Sequence, residues 1–326
     1  MVAQLDQAYL EARPTKVWSR LLAYTFFEGR PLTTRGRWIN PALFAFYHAL
    51  NKVPQLKKVH RPVFLIGTGR SGTTILGVVL SIHKEIGFLN EPKALWHSAF
   101  GDEDLIGSYS SHPGRVELTE RHASNEVSRR MRRLYGAFLR FSGSGRVLDK
   151  YPELVFRTRF VKALFPDAKF LFLHRNGWDT CTSINQWSQS HGSGGEDWWG
   201  KQDSKWQLLV SECAETSPQF AQHATAMGDW QDQRQRAAFE WIVSMLAGLA
   251  VAEAYPDDVL TVPYEKLCAD PVEWMVKITE FADLVDDPVL MKFAKTRLKL
   301  PKPRDPFELA PELQAPFNEV MEKLGY

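Results

Sequence analysis

The chain has 326 residues, 44% of them hydrophobic and 24% charged, with a formal net charge of +2. This composition suits one large globular domain, or a domain with an appendage, that can bury a sizeable core. The near-neutral balance excludes a chain built globally to bind nucleic acid or an acidic membrane, so any anion site must be local.

Residues 1–60 read as a helical extension packed on the main domain, which is expected over 61–326. Within the extension, WINPALFAFYHAL (38–50) is aromatic and apolar. It reads as a packed helix or as a surface that contacts lipid or a greasy substrate. The regular pattern begins at Arg61. PVFLIG is a short apolar run ending in glycine, expected of a buried parallel strand. GTTILGVVLSIH follows as a buried helix, and a further strand should return to the ligand edge just before Glu91. Residues 116–141 read as a charged helix, RVLDK (146–150) as a strand and 153–164 as a helix. KFLFLHR (169–175) is another strand, with a helix over Asp179 to Trp187. SQSHGSGGEDWWGKQDS (188–204) reads as loop. A helix over 237–255 repeats Phe239, Ile242, Leu246 and Leu249 at helical steps. DVLTVPY (258–264) is a late strand, and two more helices close the chain. This alternation predicts a three-layer, P-loop-like α/β fold, with a central parallel sheet flanked by helices.

Three cysteines, Cys181, Cys213 and Cys268, lie far apart and form no CxxC pair. Their odd number points to a reducing compartment. The N-terminus lacks the apolar core of a signal peptide. No apolar run reaches the ~18 residues needed to span a bilayer. The chain is therefore expected to be cytoplasmic, without a transmembrane segment. No metal-ligand cluster is evident, and neither a metal nor nucleic acid is expected as a partner.

The loop Gly67-Thr-Gly-Arg-Ser-Gly-Thr-Thr74 is an anion cradle. Glycines let the backbone turn tightly, and successive N–H groups at a helix start bind phosphate-like groups. Three nucleotide classes share that physics. Against the Walker pattern, Thr73 occupies the position of the lysine that reaches the β- and γ-phosphates. Against the dinucleotide pattern, Arg70 at the loop centre suits a terminal charged group better than a buried pyrophosphate. The acid expected about 20 residues on in that pattern would be Glu85 or Glu91.

The stretch RPVFLIGTGRSGTTILGVVL resembles the phosphosulfate-binding segment of sulfotransferases that use 3′-phosphoadenosine 5′-phosphosulfate (PAPS). It is nearer to the bacterial and tyrosylprotein-type members than to the cytosolic steroid and phenol enzymes. The resemblance implies that Gly69, Arg70, Ser71, Gly72, Thr73 and Thr74 surround the 5′-phosphosulfate. FPDAKFLFLHRNGWDTCTSI is similar to the family's segment for the 3′-phosphate. It supplies Arg175 and Ser183 at the family spacing of eight residues, with Gly177 where many members have proline. LTVPYEKLCADPVEWMVKITEFADL carries Tyr264 into the place of an adenine contact. The ending PELQAPFNEVMEKLGY resembles the tail of bacterial members. The likeness covers roughly 61–326, weakly around 98–145.

The implied activity is transfer of sulfate from PAPS, a co-substrate released as 3′-phosphoadenosine 5′-phosphate (PAP), to an acceptor hydroxyl on a carbohydrate, a lipid or another small alcohol. Such transfer needs cations on the departing phosphate and a base at the acceptor. Arg70 and the strand-end Lys150 are the expected cations. Glu91, 21 residues after Arg70, matches the catalytic glutamate of the tyrosylprotein-type enzymes. Cytosolic members place a histidine shortly after the lysine, where this chain has Tyr151 and Pro152. His97 is a second candidate base. Trp187, Trp198, Trp199 and Trp206 either cover an acceptor or pin a loop to the core. Arg297, Lys299, Lys302 and Arg304 offer late cations for the 3′-phosphate or form a solvated basic face. The rival readings are a kinase-like nucleotide-dependent phosphotransferase with a P-loop and a non-catalytic nucleotide-binding protein.

Overall fold

The computed structural model describes residues 2–32, 38–110, 114–191 and 198–326. Five short strands form one sheet: β1 (Val63–Gly67), β2 (Ile86–Asn90), β3 (Arg146–Lys150), β4 (Lys169–His174) and β5 (Val259–Pro263). Their order is β2-β3-β1-β4-β5, and every pairing is parallel. Parallel strands need crossovers, and these put helices on both faces. The strand period of two then divides the apolar side chains. Phe64, Ile66, Phe170 and Phe172 enter one core, and Val63, Leu65, Leu171 and Leu173 enter the other. The expected three-layer α/β architecture is what the chain adopts.

The N-terminal segment contributes α1 (Gln7–Ala12), α2 (Val17–Phe26) and α3 (Asn40–Leu50). It covers the outer edge of the sheet. Lys16 Nζ donates to the Ile86 carbonyl at 2.7 Å, and Arg20 donates to the Phe88 carbonyl at 2.7 Å. The Asn90 N–H donates to Glu28 Oε1 at 2.9 Å. These side chains satisfy backbone groups that an edge strand otherwise leaves open. In α3, Leu43 and Tyr47 join the core while Phe44 and Phe46 are half-buried against it, so this helix is a packed one.

On the opposite face lie α4 (Thr73–Ser81), α12 (Tyr264–Ala269), α13 (Pro271–Phe281) and α14 (Pro288–Arg297). The first face also carries α5 (Lys93–Ala99), α6 (Asn125–Ser142), α7 (Thr158–Leu164), α8 (Gly177–His191), α9 (Ser204–Leu209), α10 (Ala224–Gly228), α11 (Gln233–Ala254) and α15 (Pro311–Lys323). Three expectations need correction. The helix expected from 116 starts at Asn125, because the Ser124 side chain caps it through the Val127 N–H. Upstream, the Val116 and Glu117 N–H groups instead donate to Glu212 Oε2, both at 3.1 Å. The loop expected from 188 is helical through His191, and four helices rather than two follow β5. Residues 192–197 of that stretch lie outside the described part. By length and a mean hydropathy of 1.5, α11 could cross a membrane. About half of its most apolar stretch is buried within the protein, against α8 and α15.

Candidate functional site at the strand ends

In a parallel sheet all strands end on the same edge, and ligands sit beyond those ends where the chain switches direction. Here β1 is central, flanked by β3 and β4. All five strand ends deliver a residue expected from sequence. The glycine loop follows β1, Glu91 follows β2, Lys150 ends β3, Arg175 follows β4 and Tyr264 follows β5.

The loop turns tightly before α4. Gly72 caps the helix at φ 102° with no side chain to bond its first turn, so the Thr73 and Thr74 N–H groups have no intrahelical partner. A methyl group at Gly72 would stand 2.3 Å from the Tyr264 ring, and one at Gly69 would stand 2.3 Å from the Trp198 ring. Both positions therefore need glycine for close approach. Ser71 is fully buried, and its hydroxyl donates back to the Thr68 carbonyl at 2.5 Å. Thr73 is buried and Thr74 exposed. Arg70 adopts φ 68°, and its Nε donates to Ser183 Oγ at 3.2 Å. That contact joins the two segments expected to hold opposite ends of one ligand. Burial and the neighbouring Arg175 charge push the Arg70 pKa down, while Glu91 pulls it up.

Glu91 also has positive φ, 53°. Such backbones cost about 1–3 kcal/mol in a non-glycine residue and cluster at functional sites. Two of the expected site residues share this feature. The Glu91 carboxylate is ion-paired to Lys150 Nζ, and its N–H donates to the Lys150 carbonyl at 2.7 Å. The lysine side chain is 2% exposed and the glutamate 30%, so the acid is the partner that solvent can reach. Burial raises the Glu91 pKa, but Lys150, Lys93 and Arg30 outweigh it and hold the carboxyl well below its ordinary range.

On the other side of β1, the Arg175 guanidinium lies 5.1 Å from the Tyr264 ring centroid and 3.0 Å from Asp179. Its Nε is buried without a hydrogen-bond partner among the described residues, as is Thr68 Oγ1. Asp179 Oδ1 accepts the Arg304 N–H at 2.7 Å, which brings the late basic loop to this corner. Arg297 instead pairs with Asp6 at 2.5 Å, and Lys299, just past α14, donates back to the Lys295 carbonyl of that helix at 3.5 Å. Lys302 is exposed. The Gly177 N–H donates to Met321 Sδ at 3.3 Å, a bond that proline could not make.

The tryptophans divide between the core and the glycine loop. Trp199 and Trp206 are fully buried. Trp187 and Trp198 meet edge to face at 5.4 Å, and Trp198 rests on the glycine loop. A network that sequence reasoning missed holds Trp198 there. Its Nε1 donates to Glu240 at 2.6 Å. Glu240 pairs with Lys205 at 2.6 Å, Lys205 with Glu153 at 3.3 Å, and Glu153 with Lys93 at 3.8 Å. These partners lie on separate elements, so no local spacing signals them. His97 packs against Phe44 and Tyr109 and takes no part in the Glu91–Lys150 pair. Glu85 precedes β2, at the opposite end of the strand from the glycine loop's edge, so it cannot serve a dinucleotide there.

A family model described as "Sulfotransferase family" matches residues 62–288, more than half of the chain. Among solved structures, the sulfotransferase domain from the curacin biosynthetic pathway is similar, with TM-score 0.51 and 16% identity. That match covers 83% of this chain and 99% of the other. Sulfotransferase STF9 from Mycobacterium avium aligns at TM-score 0.48 and 16% identity, over 98% of this chain and 92% of that one. A search of curated proteins finds no match. At such identity the first of these likenesses speaks for the fold, and the match over 62–288 speaks for the family. The resemblance read from the glycine loop and the Arg175–Ser183 segment therefore holds at family level: the chain belongs to the sulfotransferase family.

Proposed function

We propose that this chain moves the sulfuryl group of PAPS to an acceptor hydroxyl, with Glu91 as the base. The observation that carries this reading is the Glu91–Lys150 pair beside the glycine loop, at the switch point of the sheet. The cradle fits a nucleotide with anions at both ends. The loop and first-turn N–H groups face one anion. Arg175 Nε, without a partner among the described residues, Ser183 and the Arg304 loop offer donors for the 3′-phosphate. Tyr264, between Gly72 and Arg175, supplies the ring for the adenine.

In the reaction the acceptor oxygen bonds to sulfur, the bond from sulfur to the bridging phosphate oxygen breaks, and the acceptor proton passes to a Glu91 carboxylate oxygen. Negative charge collects on the departing phosphate, where Lys150 and Arg70 stabilise it. This also resolves the low basicity of Glu91. While paired to Lys150 the carboxylate is a poor base. As the lysine turns toward the bridging oxygen, Glu91 loses the cation that depresses its pKa and becomes a better proton acceptor. Trp187 and Trp198 offer apolar faces beside the loop, which suits an acceptor with a sugar ring or aliphatic surface. The kinase-like reading is less well supported, because Thr73 is buried at the helix start where a lysine would be needed.

Thermal stabilisation tests the reading. At one hundred times its Kd, PAP should stabilise by about 2.7 kcal/mol. Equal or greater stabilisation by ATP-Mg would overturn the PAPS assignment.

A further inference from the structure

A cavity of ≈ 720 Å³ lies between α3, α5 and α6 and shares no residue with the strand-end site. Its wall is a cluster of rings. Phe44 meets His97 at 5.9 Å and Tyr109 at 5.8 Å, both edge to face. His97 and Tyr109 lie 5.2 Å apart, tilted by 30°. Burial pushes the His97 pKa down, so at neutral pH this ring is an uncharged platform.

The rim is cationic. Among the described residues, Lys52, Arg129, Arg130 and Arg133 line it with a single carboxylate, Glu126. That concentration stands out in a chain whose whole net charge is +2. Glu126 pairs with Arg130, and Arg133 donates to the Asn51 carbonyl. Among the described residues, Lys52 and Arg129 have no acidic partner within ion-pair distance. The wall also holds Asn51 Oδ1, buried and without a partner among the described residues. Unpaired polar atoms in a pocket carry a desolvation cost that a complementary ligand removes.

We infer that this groove is a second ligand site, for a small flat organic anion that also carries a hydroxyl donor. The ring packs on Phe44, His97 and Tyr109. The anionic group, a sulfonate, sulfate or phosphate ester, faces Lys52 and Arg129, and the hydroxyl donates to Asn51 Oδ1. Electrostatics and ring stacking reinforce each other there, because the anion sits over apolar walls that weaken its competition with water.

A suitable probe is 4-hydroxynaphthalene-1-sulfonate. It has ring, anion and hydroxyl; its carbon–sulfur bond keeps it from donating a sulfuryl group, and with PAP in place of PAPS its hydroxyl receives none. Fluorescence titration of the full chain should show the same affinity with and without saturating PAP. 1-Naphthol, lacking the anion, and naphthalene-1-sulfonate, lacking the hydroxyl, should each bind less tightly, the former by about tenfold or more. The Lys52→Gln/Arg129→Gln double variant should weaken the probe about tenfold, and Phe44→Leu should weaken it as well. Stabilisation by PAP reports that the fold and the donor site survive in each variant. Competition between probe and PAP, undiminished binding by the double variant, or no binding to the wild type would each overturn this site. None of those results touches the donor-site reading, which PAP binding tests separately.

Discussion

Glu91→Gln separates the structural and chemical roles of the central ion pair. Glutamine keeps the shape and one acceptor but removes the charge opposite Lys150, whose side chain is 2% exposed. Breaking a fully buried pair costs about 3–5 kcal/mol. The 30% exposure of the Glu91 side chain and the retained acceptor reduce that to about 1–2 kcal/mol. Unfolding entropy for a chain of this length is about 0.7 kcal/mol/K, so Tm should fall by roughly 1.5–3 °C at pH 7. The difference should depend on pH. The folded Glu91 carboxyl is depressed, so its contribution is complete above the unfolded value of about 4.3 and fades as pH falls toward the folded one. Wild type and variant should therefore converge in acid. Turnover of PAPS, followed as PAP release against a panel of alcohols, should drop about 10²–10⁴-fold, with PAP affinity nearly unchanged. Turnover within threefold of wild type would refute the base. Equal stability at pH 7 would refute the energetic weight of the pair.

Other substitutions test the surrounding parts. Arg175→Ala should weaken PAP about 10–100-fold while leaving adenosine 5′-phosphate binding unaltered. Calorimetry showing equal losses for both would remove Arg175 from the 3′-phosphate. Gly72→Ala forces a side chain into φ 102° and against the Tyr264 ring. It should lower stability by at least about 1 kcal/mol, and Tyr264→Ala in the same chain should recover only the steric part in a melting experiment. Asp149 is buried, which raises its pKa to about 7 against the hydrogen bonds from Tyr135 and Trp96. Its folded form keeps a proton that the unfolded form loses from about pH 4 upward, so stability should decline between about pH 4 and 7. Asp149→Asn should flatten that decline in pH-dependent denaturation, by no more than about 4 kcal/mol. A profile identical to wild type would mean the carboxyl is already ionised in the fold.

What could be read from the sequence follows from the range of the interactions. β1, β4 and β5 announce themselves because a buried parallel strand needs an apolar run closed by a turn, and VFLIG, KFLFLH and VLTVP each supply one; β3 shows only Val147 and Leu148 between charged residues. The helix α6 is mis-started because Glu212, almost a hundred residues later, captures the N–H groups of Val116 and Glu117. Likewise the sequence shows four tryptophans in one stretch, but not that Lys205 and Glu240 sort Trp198 onto the glycine loop while Trp199 goes to the core.

The Glu91–Lys150 pair shows how residues far apart in the chain can be expected at one edge. The two residues are 59 positions apart, and no spacing rule joins them. Parallel pairing does: β2 and β3 align Asn90 with Lys150, so the residue after β2 must emerge beside the lysine that ends β3. A parallel sheet turns the residue after each strand into a neighbour at one edge, whatever its distance along the chain. Arg70, Arg175 and Tyr264 obey the same geometry from β1, β4 and β5. Residues such as Lys93, Glu153 and Lys205 lie on connecting helices and turns, whose placement depends on side-chain packing, and there the rule gives no position in advance.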